Sequence, residues 1–184
     1  MNSPEAFVAS VLDEVRRTDW KAWAIPLPDR LFDYSPESVI PAFESLAQAS
    51  SSKEAQAAYN EMLNAIGHNH SGTPYAAMAP ATPLISALVP HLGAGASAGM
   101  DVIADCVCWT SGEARFIGPD DREHDLAVET LGAARSLDSW PSDGWKTTTT
   151  DGVAQLRACW RSWRSSRPRP PPGADGDAVD CNRL

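Results

Sequence analysis

Apolar positions in this chain recur at intervals of three and four residues, the spacing of one helical face, and no segment alternates cleanly at two. Phe7, Val8, Val11, Leu12 and Val15 form the first such stripe. It is introduced by Ser3-Pro4-Glu5, with Ser as N-cap, Pro at the first helical position and Glu near the positive end of the dipole. This helix is predicted to end near Trp20, and Trp23 with Ile25-Pro26-Leu27-Pro28 reads as an extended connection. Ser35-Pro36-Glu37 repeats the start signal before Val39, Ile40, Phe43 and Leu46, and Pro41 predicts a kink or a short first turn. Ser51 and Glu54 form a capping box ahead of Ala55, Ala58, Tyr59, Met62, Leu63 and Ile66. That is the cleanest amphipathic helix in the chain, and Gly67 stops it.

The pattern then changes. From Met62 to Met100, 39 consecutive residues, there is no Asp, Glu, Lys or Arg. A segment without charge is buried on most sides, so it locates the core. The turn His68-Asn69-His70-Ser71-Gly72-Thr73-Pro74-Tyr75 lies inside it. Thr73-Pro74 and Thr82-Pro83 each supply a cap and a first-turn proline, predicting a short helix over 75–79 and a second from Pro83. Leu84, Ile85, Leu88 and Val89 stripe the second, which ends before a flexible link at Gly93-Ala94-Gly95. Asp101 is expected to begin a helix with Val102, Ile103, Cys106 and Val107 inward. Asp120 or Asp121 is expected to cap another, lined by Leu126, Ala127, Thr130, Leu131, Ala134 and Leu137. A loop follows from Trp140 to Trp145, then a last helix marked by Val153, Leu156, Trp160 and Trp163.

No strand is predicted. The expectation is an all-α domain over residues 1–164, built of antiparallel helix pairs as a short α-solenoid or an irregular bundle. Residues 165–184 are rich in Pro and Gly without periodicity and read as a flexible tail.

Charge narrows the function. Residues 1–151 hold 21 acids and 9 bases, a net of −12, whereas 152–169 hold five Arg and no acid. An acidic body argues against nucleic acid, because phosphate contacts need Lys and Arg, and it suits a basic partner. The N-terminus lacks the basic start and apolar run of a signal peptide, and no window approaches the ~18 apolar residues of a membrane span. The expectation is therefore a cytoplasmic protein with its four cysteines reduced.

Candidate chemistry is thin. His68 and His70 could share a metal, with His91, Cys106 and Cys108 as further ligands, but no spacing selects that set and no HExxH or CxxC occurs. Hydrogen bonding within a tight turn accounts for the histidines without a metal. Cys106 and Cys108 point about 200° apart on a helix, so Cys106 is read as a small buried hydrophobe. No nucleophile elbow and no phosphate loop are present; Ser50-Ser51-Ser52-Lys53 is a helix cap. Arg157, Arg161 and Arg164 fall on one solvated face of the last helix. The acids Asp101, Asp105, Glu113, Asp120, Asp121, Glu123 and Asp125 crowd one interval with only Arg115 and Arg122 against them. Capping explains several, and together they offer a negative patch.

The run Tyr59 to Ile85, with its turn His70-Ser71-Gly72-Thr73-Pro74-Tyr75, resembles a segment of bacterial HEAT-like helical-repeat proteins, as does Tyr34-Ser35-Pro36-Glu37-Ser38-Val39-Ile40-Pro41. The resemblance spans roughly residues 20–110. It implies a HEAT-like arrangement and a likeness to immunity proteins of polymorphic toxin systems, which bind and neutralise a toxin. The expected function is thus a non-enzymatic binding protein that masks a basic toxin surface, without a cofactor. Partner contacts are assigned to Asp101, Asp105, Glu113, Asp120, Asp121 and Glu123, with Trp140 and Trp145 as aromatic anchors. His68, Asn69, His70, Gly72, Thr73 and Tyr75 are assigned a structural role in the turn. The alternatives are a metal-binding or hydrolytic enzyme centred on His68, His70 and Tyr75, or a general helical scaffold.

Overall fold

A computed structural model describes residues 3–27, 33–110 and 115–137. The described chain is mostly helical, as its periodicity predicts. Its helices are α1 (Pro4–Arg17), α2 (Val39–Gln48), α3 (Ser52–Ile66), α4 (Met78–Leu88), α5 (Gly95–Trp109) and α6 (Leu126–Ser136). Single 3-10 turns at Pro36–Ser38 and Val89–His91 lead into α2 and out of α4. Two antiparallel hairpins were not expected: β1 (Gly67–His68) with β2 (Thr73–Pro74), and β3 (Arg115–Ile117) with β4 (Glu123–Asp125). Strands of two and three residues are too short for a period of two to register. The loop at Trp140 to Trp145, the last helix and the tail lie outside the described residues, as does Glu113.

Helix α5 occupies the middle and packs against α2, α3, α4 and α6. Its first half is made of small residues, with Gly95, Ala98 and Gly99 all buried. A Cβ on Gly95 would stand 2.2 Å from the Leu46 carbonyl oxygen, and one on Gly99 2.7 Å from Val89 Cγ2. Gly93 and Ala94 do form the expected link ahead of α5, but Gly95 belongs to the surface on which α5 approaches α2. Low helix propensity was the misleading signal, and tertiary packing overrides it. Asp101 consequently sits within α5 rather than at its start.

Helix α4 also corrects an expectation. Two helices separated at Thr82-Pro83 were anticipated, but one helix runs through Pro83. An interior proline costs about 3 kcal/mol and removes a bond to the carbonyl four residues earlier, here Ala79. The compensation is burial: Met78, Ala81, Ile85 and Leu88 are fully enclosed, and α4 packs against both α5 and α6. Each such large apolar side chain contributes roughly 1.5–3 kcal/mol. The uncharged segment therefore forms the end of α3, all of α4 and the start of α5, in the core.

The helix starts are mostly legible. Ser3 Oγ accepts from the Ala6 N–H at 3.2 Å, and Ser51 Oγ from the Glu54 N–H at 3.3 Å. The Glu54 carboxylate turns to the Ser50 N–H and hydroxyl, at 2.8 and 2.7 Å, one residue before the partner a strict capping box uses. The cap of α6 is Asp125, which accepts from the Ala127 and Val128 N–H groups at 3.1 and 3.3 Å. Asp120 and Asp121, the expected caps, lie in the turn of the β3–β4 hairpin instead. Buried hydroxyls join α6 to the core. Thr110 and Thr130 meet at 3.0 Å, and Ser86 donates to the Ala133 carbonyl at 2.9 Å.

Candidate functional site

The β3–β4 hairpin is short enough for its register to be read residue by residue. Arg115 pairs with Asp125, Phe116 with His124, and Ile117 with Glu123. Strand alternation places Phe116 and His124 on one side and the other four on the opposite side. On the first side the two rings stack at 5.2 Å, and Trp23 meets His124 edge-on at 5.1 Å and Phe116 at 6.3 Å. Gly118 makes this possible, because a Cβ there would stand 2.6 Å from the His124 ring.

His124 is held through both ring nitrogens. Nε2 meets Asp120 Oδ1 at 2.9 Å and Nδ1 meets Glu129 Oε1 at 2.6 Å. Two carboxylate partners require two N–H donors, which is the imidazolium form. Burial works against the charge, but the bonds to Asp120 and Glu129 together outweigh it and raise the His124 pKa above 6.5. The bond to His124 in turn lowers the pKa of Asp120. Glu129 is shifted upward, chiefly by burial, with the His124 bond only partly offsetting. Its second oxygen, Oε2, is buried and meets no hydrogen-bond donor.

Beside this cluster lies an open groove of about 760 Å³ between α4, α6, the hairpin and Trp23. Ala79, Pro80, Pro83, Ala87 and Pro90 form its apolar wall, and Asp120, His124 and Glu129 stand at its polar side. Ser86 and Ser136, in contact with each other, also line it. This volume is in the range of ligand-binding clefts. A serine–histidine nucleophile would need a free imidazole nitrogen as base, and both nitrogens of His124 are occupied. Among the described residues no group of three His, Cys, Asp or Glu side chains converges as metal ligands.

The acids assigned to partner contact fall into two settings. Asp101 and Asp105 lie one turn apart on α5, and Asp105 accepts a short hydrogen bond from the Tyr59 hydroxyl of α3. Burial pushes Asp101 up to about 6, and the Asp105 charge adds to the shift. Asp120, Asp121 and Glu123 belong to the hairpin, where Asp121 and Glu123 are exposed. The exposed apolar residues Ile117 and Val128 sit on the hairpin and on α6. Trp140 and Trp145 lie outside the described residues, as does Glu113.

The His68–Tyr75 turn is the tip of the β1–β2 hairpin. Ser71 Oγ bonds His68 Nδ1 at 2.9 Å and Thr73 Oγ1 at 2.7 Å, and the His68 and His70 rings lie 6.0 Å apart. Gly72 takes φ +60°, a region that favours glycine, and Trp109 covers both Gly67 and Gly72. Tyr75 is buried, and its N–H closes the turn on the Ile66 carbonyl at 3.1 Å. Cys106 is buried and free.

Sequence reasoning missed His124 and Glu129. Both carried a signal only in retrospect, as a histidine flanked by acids at i−4 and i+5. No helix among the described residues is long and apolar enough to cross a membrane. No protein-family model, curated protein or solved structure matches the chain.

Proposed function

We propose that this protein is a non-enzymatic binding protein that captures a polypeptide partner through an acidic face formed by the β3–β4 hairpin and the start of α6. The observation that carries the reading is the concentration of Asp120, Asp121, Glu123, Asp125 and Glu129 on those two elements, beside an open apolar groove and the exposed Ile117 and Val128. Apolar anchors ringed by charge are the ordinary anatomy of a protein interface. Arg115 and Arg122 offset only part of the charge, and each is already paired, with Asp125 at 3.2 Å and Asp120 at 3.8 Å. A basic surface is the complement of such a face, and the attraction speeds encounter.

The turn resemblance supports a more specific version: a cytoplasmic immunity protein of HEAT-like architecture that neutralises a bacterial toxin by covering its basic surface. In this version the β1–β2 tip is an architectural staple and the hairpin carries specificity. Asp101 and Asp105 are a secondary contact, since Tyr59 already engages Asp105.

The test is affinity capture from the producing cell with the wild-type chain and with the Asp121→Lys, Glu123→Lys double variant, both positions being exposed. Glu61→Lys, exposed on α3, is the control. A basic protein retained by wild type and control but lost by the double variant supports the reading. Undiminished capture by the double variant refutes it.

A further inference from the structure

We infer that the protonation state of His124 sets the conformation of the β3–β4 turn. The doubly bonded imidazolium holds Asp121 in a left-handed backbone, and loss of its proton releases that residue. The inference stands on the geometry of the hairpin itself and holds whatever the acidic face binds.

The turn is a three-residue loop of Pro119, Asp120 and Asp121. The Gly118 N–H donates to the Arg122 carbonyl at 2.8 Å, and the Asp121 N–H donates to the Gly118 carbonyl at 3.1 Å. Asp121 takes φ +59°, among the described residues the one non-glycine residue with positive φ. Loops of this length place a left-handed residue there, and glycine fills the position without steric cost. A side chain crowds the following carbonyl, so the conformation persists only where its surroundings over-determine it. Those surroundings are Asp120 and His124. Asp120 Oδ1 accepts from the Arg122 N–H at 3.3 Å, just past Asp121, and the same oxygen meets His124 Nε2 at 2.9 Å. His124 is anchored outside the turn, on Glu129 of α6 at 2.6 Å and edge-on to Trp23. Gly118 leaves room for the arrangement, since a Cβ there would stand 2.6 Å from the His124 ring and 2.7 Å from Asp120 Oδ1.

A neutral imidazole has one N–H and one lone pair. With a carboxylate at each nitrogen, loss of the proton sets that lone pair against an oxygen, and one carboxylate has to withdraw. Asp120 is the one able to do so. Its side chain is 39% exposed against 28% for Glu129, and Arg122 offers it a second partner at 3.8 Å. The remaining proton then stays on Nδ1, toward Glu129. Asp120 no longer ties the turn to α6, and Asp121 can leave the left-handed region. The charged groups facing the ring are Asp120 from the turn and Glu129 from α6. Nearby, Arg122 is paired with Asp120, and Arg115 with Asp125 at 3.2 Å. Phe116 and Trp23 pack on the ring without charge, and the α4 wall of the adjoining groove is alanine, proline and serine. Burial opposes the imidazolium, the two carboxylates outweigh it, and release therefore falls above pH 6.5.

The experiment is NMR of the full-length chain between about pH 6 and pH 9, following the His124 ring and the α- and β-carbons of Asp121, whose shifts report backbone conformation. Asp121 should be left-handed at the acid end and depart from that conformation with the midpoint of the His124 ring, which ends as the Nδ1–H tautomer. Glu129→Gln should lower both midpoints together by about one pH unit. His124→Phe should leave Asp121 released at both ends of the range, and Glu129→Gln suffices if that chain fails to fold. In Asp121→Gly the ring should still titrate while the Arg122 α-carbon stays in place. Asp121 shifts that remain constant through the His124 titration overturn the inference. So does an Asp121 step whose midpoint stays put when Glu129→Gln moves the ring. A turn that switches as stated, with partner capture untouched by the hairpin charge reversal, keeps the switch and removes the acidic-face reading. A turn that stays constant, with capture lost on that reversal, removes the switch and keeps the face.

Discussion

Gly95→Ala should destabilise the fold even though alanine is the better helix former. The new Cβ would stand 2.2 Å from the carbonyl oxygen of Leu46, far inside van der Waals contact. That oxygen is backbone in the last turn of α2, so no rotamer change relieves the clash, and α5 must move off α2. Overpacking of this kind costs about 1–3 kcal/mol. The propensity gain of alanine over glycine returns at most about 1 kcal/mol, less at the first position of a helix. The net is a loss of about 1–2 kcal/mol, or a fall in Tm of about 2–8 °C for a chain of this size. Gly132→Ala is the matched control, because nothing lies within 4 Å of its Cβ position. Relief of chain entropy should stabilise it by about 0.4–1 kcal/mol. Urea titrations and thermal melts followed by circular dichroism measure both. A Gly95→Ala chain as stable as wild type, beside a stabilised Gly132→Ala chain, would refute the close approach of α2 and α5.

Further expectations concern titration and reactivity. Asp101 is held near pKa 6 in the fold, against an ordinary 3.8, so below pH 3.8 it contributes nothing, and stability falls as pH rises between the two values. Asp101→Asn should therefore raise the urea midpoint at pH 7.5 and change little at pH 4; a lower midpoint at pH 7.5 contradicts the burial argument. His124 has the opposite linkage, because its charge stabilises the fold below pH 6.5 and that gain is lost as pH rises through its higher folded pKa. Ring titration by NMR should place His124 above 6.5 and move it down in Glu129→Gln, and a midpoint at or below 6.5 in wild type would break the paired-carboxylate account. Burial pushes the Cys106 thiol up, so iodoacetamide should leave it unlabelled in the native protein and label it in urea; native labelling would mean that α5 is not enclosed.

Helices with a stripe and a cap were legible along the chain, since Ser3, Ser51 and the Tyr59–Ile66 face encode start, direction and burial locally. What escaped was set by packing at a distance. Gly95 looks like the end of a flexible link until α2 is brought beside it. Pro83 looks like a helix start until burial of α4 on two sides outweighs its missing bond. The candidate site was half legible. Asp120, Asp121 and Glu123 stood out by type, but Trp23 is about 100 residues from His124 in sequence, and no local pattern announces that edge-on contact. The groove is visible only once α4 and α6 pack side by side.

The glycine-and-alanine half of α5 has one further consequence. A molecule whose innermost rod is already pared to hydrogens and methyls has no slack at its centre, so any side chain added at Gly95 or Gly99 has to push a neighbouring element aside.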